Sequence, residues 1–278
     1  MRNPATVSPL SRRVLLRGLV AGAGAVLAGP VAWAETAVKH YILIRLKPGA
    51  DQLALDRWYM TYHAPQVRRA FQVWQRSYMS FRAYLPPEEA VEKYGVQYGR
   101  MTEIQFGSYA DYKATRPNNI YGGLESYTPP PGGWRNNALF DTTSMTIPVN
   151  GDEVYVSNET QPKETPYLRW IVFFKYPEGV SAGESDAWWD TTHSRELASL
   201  DGLKRFVMYR SVREQSDYTH AAEFWFDGYK SWKAAFLDPA PEFTPPKWGG
   251  TFPFFETASM FVGENPDIDF IHDRRVTP

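Results

Sequence analysis

The sequence predicts an α+β fold in which one chain carries two copies of a β-α-β-β-α-β unit. Two observations predict it. RWYMTYH at 57–63 and AWWDTTH at 187–193 each place a Trp five residues before a His, at Trp58/His63 and Trp188/His193, the copies being offset by 130 residues. The chain has five His, so two of them at matching positions argue for duplication. The flanking segments also repeat, in the same order.

Each element of the unit reads off both copies. YILIRLKPG (41–49) parallels WIVFFKYPEG (170–179) as an apolar, β-rich run closed by Pro and Gly, which predicts the first strand and its turn. The Trp–His segments follow with helical composition. SYMSFRAY (77–84) and KRFVMYRS (204–211) predict the second strand, with Phe81-Arg82 matching Tyr209-Arg210. TEIQFGSYADYKA (102–114) and AEFWFDGYKSWKA (222–234) predict a third strand feeding a short helix, with Glu103 matching Glu223. LFDTTSM (139–145) and FFETASM (254–260) predict the last strand.

The order β-α-β-β-α-β is the ferredoxin-like unit, an antiparallel sheet with both helices on one face. Two such sheets can close face to face into a barrel and bury their open faces. The arrangement resembles the dimeric α+β barrel superfamily with both protomers fused. The repeats are placed at 35–147 and 167–264, with a polar, Pro-bearing linker at 148–166 and a tail at 265–278. Relative to the second copy, the first has about eight extra residues within 85–98, as the offset between copies falls from 128 to 120. It has a few more within 116–137. Long loops of this kind are expected to wall or cover a pocket.

The first 34 residues read as an export leader. Ser11-Arg12-Arg13-Val14-Leu15-Leu16-Arg17 resembles the twin-arginine (Tat) consensus. A Gly/Ala-rich apolar stretch and an Ala32-Trp33-Ala34 cleavage site follow. The expected destination is the periplasm or the exterior, with no membrane anchor left after cleavage. Without the leader's four Arg the chain keeps 26 basic against 31 acidic residues. A mildly acidic chain with no basic block disfavours nucleic acid as a partner. The absence of Cys excludes disulfides, thiolate catalysis and Cys-ligated metal. No Gly-rich phosphate loop, G-x-S-x-G elbow or His-based metal motif occurs.

Candidate chemistry centres on the repeated helix. Helical spacing places Tyr59 on one face with His63, and Trp189 with His193, while Trp58 and Tyr62 share a neighbouring face. An imidazole desolvated by aromatics loses basicity and stays neutral, a state in which it can act as a base. Glu223, between apolar neighbours, is a candidate inward carboxyl with a raised pKa, and Glu103 is its counterpart. Arg82 and Arg210 are candidates to pair with these carboxylates or to hold an anionic substrate group. With 15% aromatic residues the chain has ample material for an apolar pocket.

WYMTYHAP (58–65) resembles the signature of the EthD family of dimeric α+β barrel proteins, in which an aromatic is followed by His, a small residue and Pro. The resemblance implies a reaction without cofactor on a small hydrophobic or aromatic substrate, with His as acid or base. His193 departs from it, being followed by Ser194-Arg195. The sequence expectation is therefore a lyase, dehydratase, isomerase or cyclase centred on His63. His193, Glu223 and Glu103 stand in second rank, and Trp58, Tyr59, Tyr62, Trp188, Trp189, Arg82 and Arg210 are candidates for substrate binding. No metal is expected. A haem enzyme of the same superfamily and a non-catalytic binder of an aromatic or sugar-like ligand stay open as alternatives, as does a homodimer of the fused barrel.

Overall fold

The computed structural model describes residues 34–71, 73–97, 99–115, 127–149, 153–157, 165–212 and 217–272. The leader read over 1–34 falls outside them except for Ala34, as does 116–126 of the longer loop. Among the described residues no helix is long and apolar enough to cross a membrane.

The first repeat runs β1 (Val38–Leu46), α1 (Gln52–Trp58), a π turn (Tyr59–His63), α2 (Ala64–Phe71), β2 (Gln75–Arg82), α3 (Glu88–Tyr94), β3 (Arg100–Phe106), α4 (Tyr109–Ala114) and β4 (Phe140–Pro148). After β5 (Glu153–Ser157) the second repeat runs β6 (Leu168–Lys175), α5 (Ala182–Trp188), a second π turn (Trp189–His193), α6 (Ser194–Ala198), β7 (Leu203–Arg210), β8 (His220–Phe226), α7 (Tyr229–Phe236) and β9 (Glu256–Gly263). A short β10 (Ile268–Asp269) ends the series. The sheets have the strand orders β10-β2-β3-β1-β4 and β5-β7-β8-β6-β9, and every named pairing is antiparallel. Each half is ferredoxin-like.

Outside the bulges at Gln75/Ser77, Val154/Val156 and Leu203/Arg205 the strands alternate between two largely buried faces, which is why they carry so many apolar residues. In β1, Val38 and Ile44 join the core under the helices, whereas Tyr41 and Leu43 join a core shared with Ile171, Phe173 and Met260 of the other sheet. The molecule is thus layered helix, sheet, sheet, helix. The barrel closes at both seams: Tyr84 N–H donates to the Phe261 carbonyl at 3.0 Å, and Val212 N–H to the Thr146 carbonyl at 2.9 Å.

Three features depart from the sequence expectation. The segment 148–166 is more than a linker, because β5 within it pairs with β7 of the second sheet. The tail is likewise structural, because β10 pairs with β2 of the first sheet. Each half therefore sends its closing segment across to the other half's sheet. Finally, the extra residues of 85–98 form α3, which leaves its own half. Its Tyr94 donates to the Phe236 carbonyl at 2.8 Å and packs among Trp170, Trp232 and Phe252 of the second half. Gly95 ends this helix in the left-handed conformation at φ 60°, a position that suits glycine.

Candidate functional site

The site grows from the local geometry of the repeated Trp–His pair. In both copies the helix widens to a π turn, in which the Ala64 N–H donates to the Tyr59 carbonyl and the Ser194 N–H to the Trp189 carbonyl. A five-residue turn stacks residues i and i+5, which α-helical spacing would separate. Hence Trp58 lies on His63, ring centroids 4.7 Å apart, and Trp188 on His193 at 4.6 Å. This corrects the expectation that Trp58 belongs with Tyr62 on a neighbouring face. Tyr62 is exposed and does not line the pocket.

In the first half these residues face a cavity of about 650 Å³ between the first sheet and its helices. Trp58, Tyr59 and His63 line it from the helix, and Ile42, Ile44, Tyr78, Thr102 and Ile104 from the strands. Tyr127, Trp134, Arg135 and Asn137 of the long loop close one side, as the loop length suggested. The Trp58 indole N–H donates to the Thr128 carbonyl at 3.1 Å, which ties the helix to this loop. His63 is enclosed by aromatic rings, with Tyr59 at 5.8 Å, Trp134 at 6.1 Å and Tyr127 at 6.4 Å. Burial alone pulls its pKa down to about 4, so the ring is neutral at ordinary pH.

A cluster of hydroxyls shares the cavity lining. Tyr59 OH lies 2.7 Å from Thr102 Oγ1 and 3.4 Å from Tyr78 OH. Burial raises the pKa of both phenols, which keeps them protonated. Behind them, Arg100 lies 5.1 Å from the Tyr59 ring and is held by Asp56 at 2.9 Å and by Asp267 of the tail at 3.0 Å. His40, which the sequence reading passed over, also lines the cavity, with Nδ1 2.9 Å from Thr146 Oγ1. Its place in β1, on the same face as Ile42 and Ile44, was the available signal.

The second half repeats the Trp–His stack and lacks the space. Its corresponding pocket is about 30 Å³. Strand register gives the reason. His40 and Ile104 are paired neighbours in the first sheet, and their equivalents in the second are Trp170 and Phe224. Ile44 is likewise replaced by Phe174. Phe243, Phe252 and Phe254 then close around His193, which is 1% exposed. Trp188 and Trp189 pack in this filled core. His193 shares its geometry with His63 but has no comparable cavity.

The other candidates lie apart from the cavity. Glu103 and Glu223 face the opposite side of their strands, between the two sheets. There Arg169 Nη2 lies 3.1 Å from Glu223 and 3.7 Å from Glu103, Lys39 lies 3.7 Å from Glu103, and Tyr41 OH donates to Glu223 at 2.8 Å. The raised pKa expected for Glu223 is corrected. Burial pushes it up, but Arg169, Lys39 and the Tyr41 hydroxyl outweigh burial and hold it at about 2. Arg82 and Arg210 do not reach these carboxylates. Arg82 lies 3.4 Å from Asp56, and Arg210 lies 3.3 Å from Asp190. Among the described residues no group of three or more His, Asp or Glu is placed to hold a metal ion.

No protein-family model and no curated protein matches this chain. Among solved structures it is similar to an anthrone oxidase-like protein at 13% identity, covering 82% of this chain and 91% of that one with a TM-score of 0.49. A mutant chlorite dismutase from Candidatus Nitrospira defluvii in complex with cyanide is similar at 10% identity, over 85% and 93%, with a TM-score of 0.45. A candidate monooxygenase from Lactobacillus acidophilus follows at 7% identity, over 82% and 93%, with a TM-score of 0.36. At these values the likeness says nothing about activity, and the ferredoxin-like halves rest on the strand orders themselves.

Proposed function

We propose that this protein is an exported enzyme that binds a small aromatic or otherwise hydrophobic compound in the first-half cavity. It performs proton-transfer chemistry of the lyase, dehydratase, isomerase or cyclase type, with His63 as the group that handles the proton and no bound cofactor. One observation carries the reading: the duplicated Trp–His pair faces about 650 Å³ of aromatic-lined space in one copy and about 30 Å³ in the other. Open apolar space with a few convergent polar groups is the usual form of a small-molecule site. Trp58 and Tyr59 fix the imidazole, and Tyr78, Thr102 and Tyr59 supply hydroxyls for the polar end of a ligand.

Haem, the alternative left open by the sequence, does not fit His63. An iron-ligating His donates its second ring N–H to a carboxylate, carbonyl or water. Among the described residues His63 Nδ1 is buried with no hydrogen-bond partner. A Soret band that survives dialysis of the purified protein would overturn this conclusion.

The test of the main reading begins with a thermal-shift screen of aromatic compounds against the purified protein. A stabilising compound is then followed for turnover with wild type and with His63→Ala. Turnover lost by a factor of about 10² or more with binding retained supports the enzyme, as expected for loss of a proton-transfer group. Binding without turnover in either protein would instead support the non-catalytic binder.

A further inference from the structure

The five His of this chain differ in what stands at Nδ1. His40 Nδ1 lies 2.9 Å from the Thr146 hydroxyl, His220 Nδ1 2.9 Å from the Thr219 hydroxyl and His272 Nδ1 2.8 Å from the Asp269 carboxylate. His193 Nδ1 lies 3.7 Å from the Glu196 carboxylate, within ion-pair distance but beyond hydrogen-bond reach. Among the described residues His63 Nδ1, like that of His193, is buried with no hydrogen-bond partner, and His63 also lacks an ion pair of the His193–Glu196 kind. This distinction decides how a His works, because the bond made by one ring nitrogen sets the tautomer and therefore what the other can do. A general base needs its Nδ1–H held by an acceptor, so that the Nε2 lone pair is presented to the substrate.

We propose that His63 rests as the neutral Nε2–H tautomer and acts first as a hydrogen-bond donor to an acceptor oxygen of the ligand, not as a base. The proposal rests on the function proposed above and specifies what that site recognises: an aromatic compound carrying a carbonyl, ether or phenol oxygen. Two arguments support it. A buried N–H without a partner forfeits its hydrogen bond to water and gains none in return, and orphaned donors are rarer than under-used acceptors. The single proton of the neutral ring therefore leaves Nδ1 bare and sits on Nε2. The imidazolium is disfavoured as well, because among the described residues the ring is packed by Trp58, Trp134 and the phenols of Tyr59 and Tyr127 and forms no ion pair. Consistently, the only cause that moves its pKa is burial, which lowers it to about 4. A neutral N–H aimed at an oxygen that gains negative charge stabilises that charge, as the acid partner in the proton-transfer chemistry proposed above.

Two measurements test this. Two-bond proton–nitrogen correlation spectra of the uniformly ¹⁵N-labelled protein report the tautomer of each His, and the His63 signals are assigned by their loss in His63→Gln. If that variant does not fold, the other four His→Gln variants assign His63 by elimination. The expected result is a protonated-type Nε2 and a bare-type Nδ1, unchanged from pH 8 to pH 5. An Nδ1–H pattern, or an imidazolium pattern near pH 6, would overturn the proposal.

The second measurement is equilibrium dialysis with benzophenone and diphenylmethane, which share a frame and differ by C=O against CH₂. Benzophenone is expected to bind at least about tenfold more tightly, as one such hydrogen bond is worth about 1.4 kcal/mol. The difference should vanish in His63→Phe. Equal binding of both probes would overturn the donor role while leaving the aromatic-binding reading in place. If neither probe binds, the reading of the cavity as an aromatic site fails, and the tautomer measurement alone decides the donor role.

Discussion

Glu223 is buried and His63 half-buried with its Nδ1 enclosed, and their surroundings send them to opposite ends of function. Glu223 meets Arg169, Lys39 and the Tyr41 hydroxyl, so it is ionised and structural. Among the described residues His63 is packed by aromatic rings and forms no ion pair, so it is neutral and chemically available. Both shifts make acid destabilising. For His63 the unfolded chain takes up a proton near 6.5 and the folded one only near 4, so stability falls as pH drops through that window. His193 extends the fall to about 3. Glu223 adds a loss as pH drops from its ordinary 4.5 through about 2. Denaturation midpoints are therefore expected to decline from about pH 6.5 downward, and replacing His193 by Leu should flatten that decline; a flat profile from 6.5 to 4 would contradict the burial of both rings. Glu223→Gln leaves the buried Arg169 cation only its longer contact to Glu103 and is expected to cost about 3 kcal/mol in urea unfolding. His63 was legible as a candidate because the sequence repeats it. Arg169 and Tyr41 were not, although Lys39 and Arg169 stand 130 residues apart in step with the repeat. Only the facing of the two sheets shows what those positions meet.

Among the elements, the π turn gives the Trp–His spacing its meaning. Five residues is the interval that such a turn stacks, and it occurs in both halves. Sequence reasoning from α-helical geometry found the right helix and the Tyr59–His63 and Trp189–His193 contacts, and it missed the closer Trp58–His63 and Trp188–His193 stacks. The insertion at 85–98 shows a different kind of miss. It was read as a loop on the first half, yet α3 places Tyr94, 2% exposed, in the core of the second. Its destination depends on where the barrel brings the second half. Tyr94→Ala is expected to destabilise by about 3–5 kcal/mol and to open space beside the filled pocket, visible as new binding of a small aromatic such as indole. The tail behaves in the same way. Phe270, 1% exposed, packs 4.7 Å from the Tyr78 ring, and its N–H donates to the Tyr78 carbonyl at 2.8 Å. Deleting residues 265–278 should weaken ligand binding at the first-half cavity while leaving the far-UV spectrum largely intact.

For the molecule as a whole, the two halves cannot be treated as separate domains. Each sheet has one face against its own helices and one against the other sheet, and both edge strands β5 and β10 come from the opposite half's closing segment. A shared core unfolds as a unit. Calorimetry is expected to show one transition, and two resolved transitions would argue that the interface between the sheets is weak. Residues 35–147 expressed alone should expose the face bearing Tyr41, Leu43 and Met145 and should dimerise or aggregate.

The sequence by itself determined the unit, its duplication and the residue worth testing. Duplication is written in residue identity and spacing, and the strand and helix patterns follow from local periodicity. It could not determine which copy keeps an open cavity or what the repeated carboxylates do. Those outcomes depend on residues distant in sequence that only the barrel brings together: Trp170, Phe224 and Tyr94 filling one pocket, and Arg169 reaching Glu103 and Glu223 across the sheets. Space and charge pairing are properties of the packed interior, and local sequence carries neither.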